Sequence, residues 1–288
     1  MLLSLFFYFS LIFKLILYVI LNLKMHIYSL ITGSAGLLGK HHAEALLQLN
    51  LNIVLTDIDR KGLDVTFKDL KELYPKKNII KSVLDVTSPK SIEKTMRNLR
   101  KKNIIINNLI NNAAIDAKVK KRTSKKHDNF ENFSLEAWDK EIKVGLTGAM
   151  LCSKIIGGEM VRNNIKGNIV NIASDLSVIA PNQNIYKSKN GNFVKPVTYS
   201  VIKHGIIGLT KYLSTYWAEK NIKVNSLSPG SVLHEQPKEL QNNLKKLIPM
   251  NRLAKKNEYI GAIKFLCSSD SSYMTGQNLV IDGGRSVW

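Results

Sequence analysis

The sequence predicts an α/β fold: a doubly wound parallel sheet of about seven strands with helices on both faces. Three observations carry that expectation. Short apolar runs alternate with helix-like segments from Ile27 to the C-terminus, the first run leads straight into a glycine-rich turn, and the second ends on an acidic residue. Alternation of this kind calls for parallel strands joined by crossover helices. A glycine-rich turn after the first strand is where such sheets approach phosphates.

The strands are expected at Ile27–Ile31, Asn52–Thr56, Ile79–Leu84, Asn108–Asn111, Asn168–Ile172, Lys223–Ser226 and Asn278–Ile281. Most of these runs have an apolar core, as strands buried on both faces require. Between them, Leu37–Gln48, Ser88–Arg100, Leu135–Arg162 and Val201–Lys220 space their apolar residues as helices do. Two polar stretches, Asp116–Asn132 and Pro181–Pro196, interrupt the rhythm and read as loops within one domain. Residues 2–21 are almost wholly apolar around a central Lys14, long enough to span a bilayer. They lack a basic n-region and a small-residue cleavage site, which argues against a cleaved signal peptide. Residues 1–24 thus read either as a membrane anchor or as a mis-assigned start. Residues 25–288 form the domain.

Composition narrows the class. With 288 residues, 44% hydrophobic and 22% charged, the chain can bury one large core and is not a disordered segment. Two cysteines, Cys152 and Cys267, lie far apart in apolar surroundings, which excludes a disulfide scaffold and suits a reducing, cytoplasmic compartment. The net charge of +20 comes mostly from lysines scattered among asparagines and isoleucines. No aromatic platform for stacking bases accompanies them, so no nucleic-acid partner is expected. A membrane partner is expected only if residues 1–24 are a true anchor, with the catalytic domain then on the cytoplasmic side.

The chemistry sits in a few places. Thr32-Gly33-Ser34-Ala35-Gly36-Leu37-Leu38-Gly39 joins the first strand to a helix, so its backbone can approach a pyrophosphate at the helix's positive end. Asp57 ends the second strand, where a carboxylate can bind ribose hydroxyls and repel a 2′-phosphate; a helix cap is the competing role. Asp85-Val86 follows the third strand, placed to offer an adenine edge a carboxylate and an apolar face. Tyr199 and Lys203 are four apart and share a helical face. An ammonium beside a phenol stabilises phenolate, which brings its pKa down from about 10 toward working pH and suits it to acid/base work on an alcohol–ketone pair. Ser174 closes the fifth strand, where a hydroxyl can donate to a carbonyl oxygen that gains charge. The pattern holds no metal-ligand cluster.

Taken together, these residues resemble the short-chain dehydrogenase/reductase family across about residues 27–288. The resemblance includes the glycine turn, Asp57, Asp85-Val86-Thr87, Asn111-Asn112-Ala113-Ala114, Ser174, Tyr199, Lys203, Pro229-Gly230 and Ile281-Asp282-Gly283-Gly284. It implies a single Rossmann-type domain, NAD as cofactor, and a homodimer or homotetramer. It implies that Tyr199 is the catalytic acid/base, that Lys203 tunes it and binds the nicotinamide ribose, and that Ser174 positions the substrate oxygen. Gly33, Gly36, Leu38 and Gly39 would then cradle the pyrophosphate. Asp57 would bind the adenosine ribose, Asp85 and Val86 would flank adenine, and Asn112 and Ala113 would line the cleft. Pro229, Gly230 and Val232 would meet the nicotinamide. The Ser174–Lys203 stretch with its insertion further resembles a bacterial subgroup associated with flagellin or surface-polysaccharide modification, which implies a sugar-related substrate.

The chain also departs from the family pattern. Seven residues after Trp138, where the family usually has an asparagine that orders a proton-relay water, this chain has Gly145. The turn reads TGxxGxxG rather than the commoner TGxxxGxG, Ala114 replaces a frequent glycine, His234 stands where a threonine is frequent, and Ser174 lies unusually far from Tyr199. The reading that follows is an NAD(H)-dependent oxidoreductase interconverting a secondary alcohol and a ketone on a polar, sugar-related small molecule. Gly145 keeps open an alternative, a cofactor-binding regulator or scaffold with weak or lost turnover.

Overall fold

The computed structural model describes residues 25–115, 129–188, 191–192 and 194–288. The strands β1 (His26–Thr32), β2 (Asn52–Asp57), β3 (Ile79–Val83), β4 (Ile104–Asn111), β5 (Gly167–Ile172), β6 (Ile222–Pro229) and β7 (Asn278–Ile281) form one sheet. Their spatial order is β3-β2-β1-β4-β5-β6-β7, and every pairing is parallel. The chain runs outward from β1 to β3, then crosses to β4 and runs outward the other way. The order therefore reverses between β1 and β4, and a crevice opens beyond the carboxyl ends of those strands.

Alternating residues divide the core into two layers. Leu30, Leu109 and Ile169 point to one face, where they pack with Ile92, Met96 and Leu99 of α3 (Pro89–Arg100) and with Cys152, Ile156 and Met160 of α4 (Leu135–Arg162). Their neighbours Ile31, Ile110 and Val170 point to the other face. There they meet α1 (Gly39–Gln48), α2 (Arg60–Leu73) and α7 (Ile260–Leu266). The remaining helices are α5 (Val197–Tyr216) and α6 (Lys238–Lys245). Burial on both faces explains the apolar residues on both sides of the central strands, and the asparagines and serines among them, such as Asn108 and Asn171, are hydrogen-bonded inside.

Local chemistry sets the ends of the elements. Asp59, Ser88 and Ser134 each cap a helix, accepting from the backbone N–H of Lys61, Ser91 and Ala137. Asn50, Asn103, Asn164, Asn221 and Asn251 all have left-handed φ, between 50° and 62°. The first four each close a helical segment and open the return to a strand, and Asn251 lies in the loop beyond α6. Asparagine tolerates this region because its short polar side chain can bond locally.

Helix α4 alternates α-helical and π-helical turns, the latter at Lys143–Thr147 and Ser153–Gly157. It is long and apolar enough to cross a membrane, but half of its apolar window is buried in the fold. It is a core helix.

Some elements differ from expectation. α5 begins at Val197 rather than Val201, which brings Tyr199 into its first turn; the Thr198 hydroxyl donates to Glu141 of α4 and anchors that turn. β4 and β6 are longer than expected, and α2, α6 and α7 are additional to the expected helices. The Pro181–Pro196 stretch holds a 3₁₀ turn at Gln183–Tyr186 and a small hairpin pairing Lys187–Ser188 with Gly191–Asn192. Residues 1–24 and 116–128, with the apolar leader and the first lysine cluster, lie outside the described residues.

Candidate active site

The glycine turn is a tight cradle. Gly33 has φ +63°, and a Cβ there would stand 2.7 Å from Ala113 Cα. Gly39 starts α1, where a Cβ would fall 2.3 Å from the Gly33 carbonyl oxygen. A Cβ on Gly36 would meet only that same oxygen, at 3.2 Å, so its other sides are open. Leu38 is the N-cap of α1 and supplies no side-chain bond, and the first turn holds no acidic residue. The helix thus presents uncapped N–H groups and a partial positive charge beside an open backbone turn. That arrangement fits a pyrophosphate.

Around the turn, the other cofactor candidates gather at the same edge of the sheet. Asp57 Oδ2 accepts from the Ala35 N–H at 2.9 Å and Oδ1 from the Asp59 N–H at 2.9 Å. The α2 cap is Asp59, so Asp57 is a free-standing rim carboxylate tied to the glycine turn. Asp85 Oδ1 accepts from both the N–H and the hydroxyl of Thr87 at 2.8 Å. Val86 is buried, and its side chain faces Gly148 of α4. Asn112 Nδ2 donates to the carbonyls of Gly33 at 2.8 Å and Thr32 at 3.2 Å. The Thr32 hydroxyl oxygen accepts from the N–H groups of Asn112 and Ala113 at 3.0 and 3.1 Å. These bonds lock the ends of β1 and β4 together. Pro229 ends β6, and Gly230 follows so close to Asp282 that a Cβ would stand 2.6 Å from its Cα. Val232 is buried and bridges Ala254.

The catalytic candidates lie at the end of β5. Lys203 is buried, and its Nζ donates to the Ile172 carbonyl at 2.9 Å. The same Nζ stands 5.7 Å from the centre of the half-buried Tyr199 ring. Lys203 therefore ties α5 to the strand that leads into Ser174. A second cation, Lys195 Nζ, stands 3.7 Å from the same ring centre. Two ammonium groups thus lie near one tyrosine ring.

Ser174 is buried, and its hydroxyl donates to Asp175 Oδ1 at 2.8 Å rather than into the crevice. The Leu176 N–H reaches both Ser174 Oγ, at 3.2 Å, and Asp175 Oδ1, at 2.9 Å. Arg285 Nη1 donates to Asp175 Oδ2 at 2.8 Å, with both side chains 4% exposed, and approaches Ser231 Oγ at 3.3 Å. The partners of this buried ion pair are 110 residues apart. The acidic residue after Ser174 was visible in the sequence, but nothing there pointed to Arg285. A second hidden chain runs from Asn111 Nδ2 to Asn171 Oδ1 at 2.8 Å, and from Asn171 Nδ2 to Thr210 Oγ1 at 2.9 Å. It fixes β4, β5 and α5 side by side.

The insertion contributes to a cavity next to the first turn of α5. Phe130, Phe133, Gln183, Lys195, Pro196 and Ser200 line this cavity of about 260 Å³. The insertion's base is closed by the Gln183 side chain, which bonds both the N–H and the carbonyl of Lys195. Its far side docks on α6, with Ile185 against Leu240 and Leu244 and with Asn243 Nδ2 donating to the Ile185 carbonyl at 3.2 Å. At Gly145, the space a side chain would need is filled by Ile202, whose Cγ2 would stand 2.8 Å from a Cβ.

A family model described as enoyl-(acyl carrier protein) reductase matches residues 33–286. The NAD-dependent glycerol dehydrogenase of Listeria innocua is 33% identical over 264 residues, covering 90% of this chain and 93% of that protein. Glucose 1-dehydrogenase 2 of Bacillus subtilis is 30% identical over 267 residues, covering 90% and 95%. Among solved structures, a short-chain dehydrogenase from Leptospira borgpetersenii with bound NAD+ aligns at 30% identity with a TM-score of 0.78, covering 91% of this chain and 94% of that one.

Proposed function

The chain belongs to the short-chain dehydrogenase/reductase family of oxidoreductases, and we propose that it interconverts a secondary alcohol and a ketone on a polar, sugar-related metabolite with NAD(H). The observation that carries this reading is the placement of Tyr199 and Lys203 on the first turns of α5, with Lys203 bonded to the end of β5, two residues before Ser174. When bound, NAD supplies the hydride acceptor beside that tyrosine. Gly33, Gly36, Leu38 and Gly39 would hold its pyrophosphate, and Asp57 its adenosine ribose. The neighbour of Asp57, Ile58, offers no cation for a 2′-phosphate, which favours NAD over NADP.

Tyr199 takes the proton from the substrate hydroxyl in oxidation and returns it in reduction. The ammonium groups of Lys203 and Lys195 stabilise the phenolate this requires. The glycerol and glucose dehydrogenases among the relatives support a polyhydroxylated substrate, as does the subgroup resemblance. The family also supports a homodimer or homotetramer in the cytoplasm, which size-exclusion chromatography and cell fractionation check.

Stopped-flow reduction of NAD by a panel of polyols tests the reading. NAD should give the higher kcat/KM than NADP. Tyr199→Phe should lose turnover by at least ~100-fold while its NAD affinity stays within about twofold. A phenylalanine variant that keeps its activity would move the proton to another group. Gly145, closed off by Ile202, is the feature that favours the second reading, a cofactor-binding regulator with feeble turnover. NAD binding with no reduction by any alcohol would select it.

A further inference from the structure

All seven strands of the sheet are parallel, so all begin at one edge, opposite the crevice. Among the described residues, the connections that lead into the strands at this edge carry six lysines, Lys76, Lys77, Lys101, Lys102, Lys166 and Lys220. The same connections carry two acids, Glu219 and Asp270. Lys77 is half-buried and the other five lysines are exposed. Lysine is common throughout the chain, so the count alone decides nothing, but the neighbours of these lysines are unusual. Tyr216 at the end of α5 is 64% exposed, Tyr273 before β7 is fully exposed, and Met25 and Ile27, on either side of His26, are exposed too. Lysines mixed with exposed tyrosines and aliphatic side chains suit the headgroup region of a lipid surface.

The point of entry of the chain names the occupant. The apolar residues 2–21 are followed only by Asn22, Leu23, Lys24 and Met25 before β1 begins at His26. Four residues reach at most about 14 Å. The His26 N–H donates to the Asn103 carbonyl at 2.8 Å, directly after Lys101 and Lys102 in the chain. β1 is the third of the seven strands in spatial order, so the chain enters near the middle of the edge. With residues 2–21 in a bilayer, this edge is held at its surface.

We propose that the amino edge of the sheet docks on an anionic lipid surface, its lysines among the headgroups and its tyrosines at the boundary. Attraction to such a surface fades within about 10 Å at ordinary ionic strength, so lysines on a tethered edge contribute where distant ones do not. The crevice lies one strand length away, at roughly 3.3 Å per residue, and opens into the water from which NAD and a polar substrate arrive. This placement is independent of which alcohol the crevice takes.

Lysine acetylation footprinting tests it on the full-length protein, mixed with vesicles of phosphatidylcholine alone or with about one-third phosphatidylglycerol. With phosphatidylglycerol, Lys76, Lys102, Lys166 and Lys220 should react at least about fivefold more slowly. Lys61 and Lys90, on α2 and α3 where they leave the opposite edge, should change by less than about twofold. Salt at about 0.5 M should remove the difference. Lys102→Glu/Lys166→Glu should return Lys76 and Lys220 to within about twofold of their unprotected rates, whereas Lys61→Glu/Lys90→Glu, with the same loss of charge, should leave the edge protected. NAD affinity checks the folding of both variants, and the wild-type footprint decides the matter even if one fails to fold. Protection of neither set, or of both sets alike, would overturn the proposal. So would equal protection on phosphatidylcholine alone, or equal effects of the two double variants.

Discussion

His42 sits wholly inside the protein, on α1 just past the glycine turn, and neither ring nitrogen makes a hydrogen bond among the described residues. Burial, with a smaller contribution from the neighbouring His41, pushes its pKa down to about 3. The folded protein therefore refuses a proton that the unfolded chain accepts below about 6.5. The unfolded state binds more protons in that window, so stability falls as the pH drops from about 6.5 toward 3. The slope should reach ~1.4 kcal/mol per pH unit from this one group. Urea unfolding at pH 7, 6 and 5 should show a shallower decline in His42→Leu than in the wild type; equal slopes would mean that the site admits a proton or a water. Individual residues were unequally legible. Gly33, Tyr199 and Lys203 announce themselves because each belongs to a local spacing. Asp175 and Arg285 do not, because a pair made across 110 residues leaves no local pattern.

At the scale of elements, α4 and α5 pack closely where Gly145 meets Ile202. Gly145→Asn places a Cβ 2.8 Å from Ile202 Cγ2 and should cost ~1–3 kcal/mol by overpacking. Combining it with Ile202→Ala should recover part of that loss. A thermal-denaturation double-mutant cycle measures the coupling, and strict additivity would show that the two positions do not touch. The insertion makes a second prediction. It lines the cavity next to the first turn of α5 and docks on α6. Replacing residues 182–194 with a short linker should raise the substrate KM about tenfold or more and leave NAD affinity nearly unchanged. Equal losses of both would make the segment structural. The position of α4 was readable from its periodicity, but its π-helical turns were not, since the apolar spacing there departs little from that of an ordinary helix. Helices α2, α6 and α7 were less legible because each buries few large apolar side chains, Leu63 and Leu70, Leu240 and Leu244, and Ile263 and Leu266, so that tertiary packing does much to hold them.

For the whole molecule, the seven strands and both core layers lie within residues 26–281. Protein expressed from Met25 should accordingly be soluble and bind NAD, with a thermal midpoint that rises with NAD concentration by mass action. At about a hundred times Kd, the added stability should be ~2.7 kcal/mol. Aggregation of the short form, or loss of cofactor binding, would make residues 1–24 part of the working protein. The sheet was legible because short, mainly apolar cores such as Ile53–Leu55 and Ile169–Val170 recur between helix-like segments. Its strand order was not, since nothing local states which strand lies beside which.

Glycine is the least strained residue at a left-handed turn, yet Asn50, Asn103, Asn164, Asn221 and Asn251 occupy five of them. A lineage whose composition drifts away from glycine can exchange it for asparagine at such returns, and the strands beyond keep their register. At Gly33 the same exchange is closed, because any Cβ strikes the backbone of Ala113. The helix exits of this fold can therefore absorb the mutational bias of a genome. The turn that faces the cofactor cannot.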